Sequence, residues 1–443
     1  MTEQLRHGIR LIDLVMLGAG TAIGASIFSV LGPAAQVGGS GILIAVAIAA
    51  VPMILFGLIY AYMASALPRT AASYEWQREF THPLVAFAIV WMRVLSNAVV
   101  MVILAQVLVQ YLSMVVPLPV KPVMFAFFLT VFMLNYVGVA IAARAQTILM
   151  LGLLAVFAVF IVAGAPHFRP AVFVEAVHGG WLPVLAALPL MIQLFLGIET
   201  ATEVGEEVAN PKRNVPLGLA LALLLTVVVY LAIAVTALSL VGPKGLAASQ
   251  APLLDAAKVA LGPAATPLIV TAAVLALTKS MNAVFLVYAR FLFAMGRSGV
   301  LPSALGRIHP RFGTPHIATI VAFLASVAGL LLPSSLLFLL IAVNIPTMMK
   351  YLGSCLAAWN VAAHRPDIRA QARFAMSSGL VKILSALGIL AAAAIALLGI
   401  ASDWRPYVLL AAWLAVGLIY YGRTGASRRA AQLLGDTAPT VSS

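Results

Sequence analysis

The strongest constraint on this chain is a near-continuous succession of apolar runs that starts near residue 14 and ends near residue 421. A run of about 20 apolar residues crosses roughly 30 Å of hydrocarbon as an α-helix. Twelve such runs are legible, at 14–37, 40–66, 84–113, 121–140, 146–164, 182–205, 216–241, 265–294, 315–331, 335–361, 380–401 and 405–421. The loops between them are too short to hold a separate soluble domain. The sequence therefore reads as an all-α polytopic membrane protein, with residues 1–443 forming one membrane domain.

Composition agrees: 63% of residues are hydrophobic and 9% charged, against about one-quarter charged in soluble domains. The net charge of +13 would fit a nucleic-acid partner, but the basic residues fall on alternate loops. One side holds seventeen of them, from Arg6 and Arg10 through Arg69, Lys212, Arg297 and Arg365 to Arg429; the other holds only Lys121, Arg169, Lys244, Lys258 and Arg405. That asymmetry is the positive-inside pattern. It predicts an even number of spans, both termini in the cytoplasm, a multi-pass place in the cell inner (plasma) membrane, and no nucleic-acid partner. The first run lacks a small-residue cleavage site, so a removable signal peptide is not expected. Cys355 is the only cysteine, which excludes an intrachain disulfide and a cysteine-based metal cluster.

Two runs are broken by glycine. The first break is GAGTAIGASIF at residues 18–28; the second, FLGIET at 195–200, lies about 170 residues later. In lipid every backbone N–H and C=O needs a partner, so an interrupted helix persists only where the break lines a protected cavity. A lone glycine-rich stretch would read as close helix packing. A matched pair at the start of two halves points instead to a transport site at the midplane. Runs one to five (about 10–164) and six to ten (about 181–364) can be laid over each other as two five-helix units. The odd number makes the repeat inverted, with runs eleven and twelve (about 380–421) peripheral and 422–443 a mobile tail. At the first break the half-helix starting near Ala25 offers N–H groups at its positive end, where a carboxylate would sit. At the second, Gly197 ends a half-helix whose carbonyls could receive an ammonium group.

The motifs resemble those of the amino acid–polyamine–organocation transporter superfamily, and in particular its amino acid permeases. AGTAIGASIF at 19–28 resembles the first-span pattern, with Ser26 in place of its third glycine. LPRTAASY at 67–74, FLGIE at 195–199, EEVANPKRNVP at 206–216, AMGRSGVLP at 294–302 and HPRFGTP at 309–315 follow in family order, with Asn282 and Arg290 between. The resemblance implies a LeuT-like fold, a five-plus-five inverted repeat with discontinuous helices 1 and 6. It further implies a substrate site of Ala22, Ile23, Gly24, Ala25, Ser26 and Ile27 facing Gln193, Phe195, Leu196, Gly197 and Glu199. In it the substrate carboxylate meets N–H groups of Ala25 and Ser26, and the ammonium meets carbonyls of Ala22, Gln193 and Leu196. Gln193 stands where relatives usually carry an aromatic lid. Either Phe195 takes over the lid, or Gln193 bonds the substrate or a neighbouring helix.

Ionisable residues at membrane depth are costly and mark function by default. Glu199 lies at the second break and is a candidate for proton coupling or for holding unwound backbone. Lys279 is eleven residues from Arg290, roughly 16 Å deep at 1.5 Å per residue. Sodium-independent relatives often place a lysine amine where sodium would bind, usually from the fifth span, which has no lysine here. Lys279 is thus a candidate for that cation from the eighth span, against the alternative of a lysine reaching a polar interface. Arg93 and Lys350 are also deep, and Glu75 reads as a loop-side charge. Three deep cations disfavour a polyamine, though a polyamine or organic-amine carrier remains the alternative. No histidine pair has metal spacing, no phosphate-binding loop occurs, and no nucleophile–base constellation converges. The expectation is a secondary active amino acid transporter, not an enzyme or a channel. It needs no cofactor, and its partners are the amino acid, the lipid bilayer, and protons or a counter-transported amino acid.

Overall fold

The computed structural model describes residues 8–24, 26–178, 180–249, 251–331, 336–398 and 404–424. Ala25, placed by sequence in the substrate site, and the tail from 425 onward lie outside the described residues.

Among the described residues the chain is helical, with only two isolated β-bridges. The first run splits into α1 (Leu11–Ala22), α2 (Ser26–Ser29) and α3 (Leu31–Gly38); α4 (Ile42–Ala66) follows. Next come α5 (Ala72–Phe80), α6 (Pro83–Ser113), α7 (Val120–Val137), α8 (Val139–Gly164) and α9 (Ala171–His178). The sixth run begins as α10 (Trp181–Ile192) and continues as two short 3-10 turns, Gln193–Phe195 and Ile198–Thr202. The rest are α11 (Pro211–Ala248), α12 (Pro252–Leu261), α13 (Ala265–Arg297), α14 (His316–Ala328), α15 (Leu336–His364), α16 (Pro366–Gln371), α17 (Ser378–Leu398) and α18 (Arg405–Arg423).

Nine of the described elements are long and apolar enough to cross a membrane, and Leu190–Thr202 and His316–Leu331 are shorter apolar helices. Among the described residues every predicted run falls mainly on helix. The sequence did not foresee the short helices α5, α9, α12 and α16. α5 carries polar Glu75 and Arg78 beside buried Tyr74 and Trp76. Glu75 is therefore not a free loop charge: it is buried and pairs with Arg78 at 2.8 Å.

Proline and glycine set the element ends. Pro83 and Pro211 start α6 and α11, where a missing N–H costs nothing. Gly242, at φ 69°, kinks α11 just before Pro243. The centre of the bundle is α13, buried along nearly its whole length and packed on α1, α6, α7, α8, α12 and α14. α17 and α18 lie outside, against α15 and α6, and keep Ile383, Leu390, Val408 and Ile419 exposed. α18 docks through a reciprocal pair: Trp91 Nε1 donates to the Trp413 carbonyl at 2.9 Å, and Trp413 Nε1 to the Trp91 carbonyl at 2.8 Å.

Candidate transport site

The two breaks meet. α1 ends at Ala22; Ile23 leaves helical geometry and caps back to the Ala19 carbonyl, and helix resumes at Ser26. In the second break Leu196 is extended and Gly197 takes φ +102°, a conformation open to glycine at little cost. A Cβ on Gly197 would come within 2.6 Å of Thr21 Cγ2, and one on Gly18 within 3.0 Å of the Ile198 carbonyl. The glycines thus let the two unwound segments touch. Ser26 Oγ donates across the gap to the Gln193 carbonyl at 3.5 Å, a long bond.

Side chains from neighbouring helices satisfy the exposed backbone. Lys279 Nζ, fully buried on α13, donates to the Gly20 carbonyl at 2.5 Å and to the Ile23 carbonyl. Ser280 Oγ adds a bond to the Gly20 carbonyl at 3.2 Å. These carbonyls are at the negative end of a half-helix, where a cation is favoured. Lys279 therefore reaches no outer polar interface. The Ala22 carbonyl accepts from Tyr230 at 2.6 Å and from the Gly24 N–H at 2.8 Å. A substrate ammonium would reach it only by displacing one of them.

At the second break the Gly197 N–H donates to Glu199 Oε2 at 3.1 Å. Glu199 is in turn held from α15: Lys350 Nζ lies 2.6 Å from Oε1, and the Tyr351 hydroxyl donates to Oε2 at 2.5 Å. Lys350 also lies 3.8 Å from Glu203, whose carboxylate accepts from the Ser73 N–H at 3.1 Å and from the Ser73 hydroxyl. Tyr60 bonds Ser354 at 2.9 Å and packs edge-on against Tyr351. Phe195 is fully buried with its ring at 90° to that of Tyr230, 5.8 Å between centroids. Ile23, Gly24 and Ile27 are buried; Ser26, Gln193 and Leu196 keep partial exposure.

Toward the arginine-rich end, charged pairs tie the segment after the second break to α13 and to the chain before α1. Glu207, fully buried, takes two bonds from Arg290 at 2.9 and 3.0 Å, and its carbonyl accepts from the Gly8 and Ile9 N–H groups at 3.1 Å. Further out, Arg297 grips Glu206 with two bonds of 3.1 Å. Burial pushes the Glu206 carboxyl up, but Arg297 outweighs it and holds the group below the ordinary value. No group of acidic, histidine or cysteine residues among the described ones could hold a metal ion. One outer cleft lies away from the breaks, among α4, α8, α9 and α11, and is lined mainly by apolar residues such as Leu43, Ile161, Phe168 and Leu231.

Sequence reading brought the two breaks, Glu199 and Lys279 together but missed Tyr230, Ser280, Glu203 and Tyr351. It also left Lys350 and Arg93 without partners. The available signal was complementarity: two carboxylates near the second break needed a cation of matching depth, and Lys350 was one.

The amino acid permease family model matches residues 9–419. An uncharacterized transporter of Mycobacterium tuberculosis is 30% identical over 335 residues, 74% of this chain and 76% of the relative. The branched-chain amino acid permease BcaP of Bacillus subtilis is 26% identical over 442 residues, covering 95% of this chain and 93% of its own. The methylthioribose transporter of the same organism is 26% identical over 444 residues, covering 95% and 94%.

Proposed function

This chain belongs to the amino acid permease family of multi-pass membrane transporters, and from that premise we propose that it carries amino acids by secondary active, alternating-access transport. Its family and relatives are transporters rather than enzymes. In this reading twelve spans form a five-plus-five inverted repeat in the plasma membrane, with both termini cytoplasmic. The substrate binds where the two breaks touch. Its carboxylate faces the N-terminal end of the second half of span one, at Ala25 and Ser26, and its ammonium faces the carbonyls of Gln193 and Leu196.

The observation that carries the energetic part of the proposal is the Lys279 ammonium on the Gly20 and Ile23 carbonyls. Unwound carbonyls at a half-helix end are where coupled transporters hold their driving cation. A tethered ammonium already on those oxygens replaces a mobile one, so transport runs on exchange or a proton gradient and not on sodium. The test is counterflow of radiolabelled amino acids into proteoliposomes with sodium or choline as the cation. Wild type should be indifferent to the swap, and Lys279→Met should lose most of its rate in choline. Wild-type dependence on sodium would sink the proposal, as would normal, sodium-indifferent transport by Lys279→Met.

A further inference from the structure

Arg93 is the one deep cation to which the site as described gives no task. It lies about a third of the way along α6, and only one of its terminal nitrogens is engaged. Its NH1 donates to Thr347 Oγ1 on α15 at 2.7 Å and weakly to Ser96 Oγ at 3.5 Å. Its Nε is buried and has no hydrogen-bond partner among the described residues, and NH2 makes no bond there either. The Nε–NH2 edge is the side on which a guanidinium grips a carboxylate with two parallel bonds. Here that edge is open. No carboxylate among the described residues lies within ion-pair distance of it; Glu199 and Glu203 are held by Lys350, Tyr351 and Ser73.

Thr347 fixes where the open edge lies. It shares a face of α15 with Lys350 and Tyr351, three and four positions on, and those two residues clasp Glu199 at the second break. The guanidinium is therefore about one helical turn, roughly 5 Å along α15, from the residues that hold the break. Asn97, one turn along α6 from Arg93, also has a buried amide nitrogen without a partner, and Asn344, one turn before Thr347, an unpartnered carbonyl oxygen. Spans three and ten thus face each other with an unfilled polar patch centred on a cation. The deep charges are unequal too: Arg93, Lys279 and Lys350 against Glu199 and Glu203. Glu199 and Glu203 attract Arg93 only from a distance, and a buried guanidinium edge without a partner is costly.

We propose that Arg93 is the side-chain subsite of the transport site and selects amino acids that carry a second acid group. The substrate's α-carboxylate and ammonium lie at the breaks, and its distal carboxylate takes the Nε–NH2 edge, with Asn97 beside it. This supplies the missing negative charge and fills the open donors. The inference rests on the amino acid transport reading and deepens it.

The test is competition against counterflow in proteoliposomes, with L-aspartate, L-glutamate, L-leucine and L-alanine as competitors, for wild type, Arg93→Gln and Arg93→Lys. Wild type should be inhibited by L-aspartate or L-glutamate at concentrations at least tenfold below those needed for L-leucine or L-alanine. Arg93→Gln should lose that preference, at least tenfold in the acidic-to-neutral ratio. Arg93→Lys, which keeps the charge without the fork, should fall between. Equal inhibition of wild type by acidic and neutral competitors overturns the inference even if neither variant folds. So does an Arg93→Gln variant whose acidic-to-neutral ratio is unchanged. If neutral amino acids drive counterflow and acidic ones do not, only the Arg93 assignment fails. If no amino acid drives counterflow, the transport reading fails with it.

Discussion

Lys350 is the residue whose removal the structure penalises most clearly. Its ammonium is 2% exposed and lies 2.6 Å from Glu199 and 3.8 Å from Glu203, which are 7% and 0% exposed. Lys350→Met removes the cation and leaves two buried carboxylates facing one another. Breaking a buried pair from one side costs about 3–5 kcal/mol, because the partner charge stays in low dielectric. Glu199 would keep the Tyr351 hydroxyl and the Gly197 N–H, and Glu203 would keep Ser73. That places the loss toward the lower end, about 3 kcal/mol. For a chain of this length a loss of that size lowers Tm by roughly 3–6 °C. Adding Glu199→Gln removes the stranded charge and leaves an amide that still accepts from Gly197. The double variant should therefore recover about 2 kcal/mol relative to the sum of the singles, a coupling expected of residues in direct contact. The assay is thermal unfolding of the four proteins in detergent, followed by intrinsic fluorescence. A Lys350→Met loss below about 1 kcal/mol, or additive effects in the double variant, would refute the argument that Lys350 neutralises Glu199.

Gly197→Ala meets two obstacles, a φ of +102° and a new methyl 2.6 Å from Thr21 Cγ2. It should cost about 1–3 kcal/mol and cut counterflow sharply. Thr21→Ser in the same protein removes the clash but not the strain and should restore stability only in part; full rescue would show the backbone is not held as described. Arg290→Met strands the buried Glu207 carboxylate, so Ile9→Cys in that background should react faster with a membrane-impermeant maleimide; an unchanged rate would argue against a latch. Glu206, depressed in the fold by Arg297 despite burial, stabilises the native state above the ordinary carboxylate range and loses that contribution as pH falls below that range. Both partners are partly exposed, so the effect is a fraction of a kcal/mol; Arg297→Met should flatten the acid side of the stability profile, and an identical profile would exclude the pair as its source.

What the sequence revealed and what it hid follow from the range of the forces involved. Apolar runs and glycine breaks are local, so every run lands on helix and both breaks appear near residues 23 and 197. Run ends were shorter than the helices wherever a polar turn continues past the hydrocarbon. Thus α11 starts at Pro211 rather than 216, taking in Lys212, Arg213 and Asn214, whereas α8 starts at Val139 rather than 146 because the chain turns at Gly138. α5 went unread because its apolar face is interrupted by Glu75, Gln77 and Arg78, all of which find partners. The partners of the breaks were less legible still, because they come from α11, α13 and α15. A tyrosine inside an apolar run, such as Tyr230, looks like any other aromatic until a carbonyl is seen opposite it.

The two breaks are held by different chemistry, and the difference bears on how transport would be coupled. At the first, a cation meets backbone carbonyls directly, through Lys279 of α13. At the second, a carboxylate meets a backbone N–H, and a second lysine, from α15, holds that carboxylate. Each clasp ties a broken segment to a helix outside it, so relative motion between them must loosen a charged contact in low dielectric. Neither clasp can open without a compensating charge or proton, since a stripped buried ion costs several kcal/mol. Under the transport reading proposed above, a zwitterion settling between the breaks would bring one charge of each sign to the two broken segments. On the proposed reading, substrate binding and opening are coupled because the substrate's charges arrive on the same two broken segments that the two lysines hold.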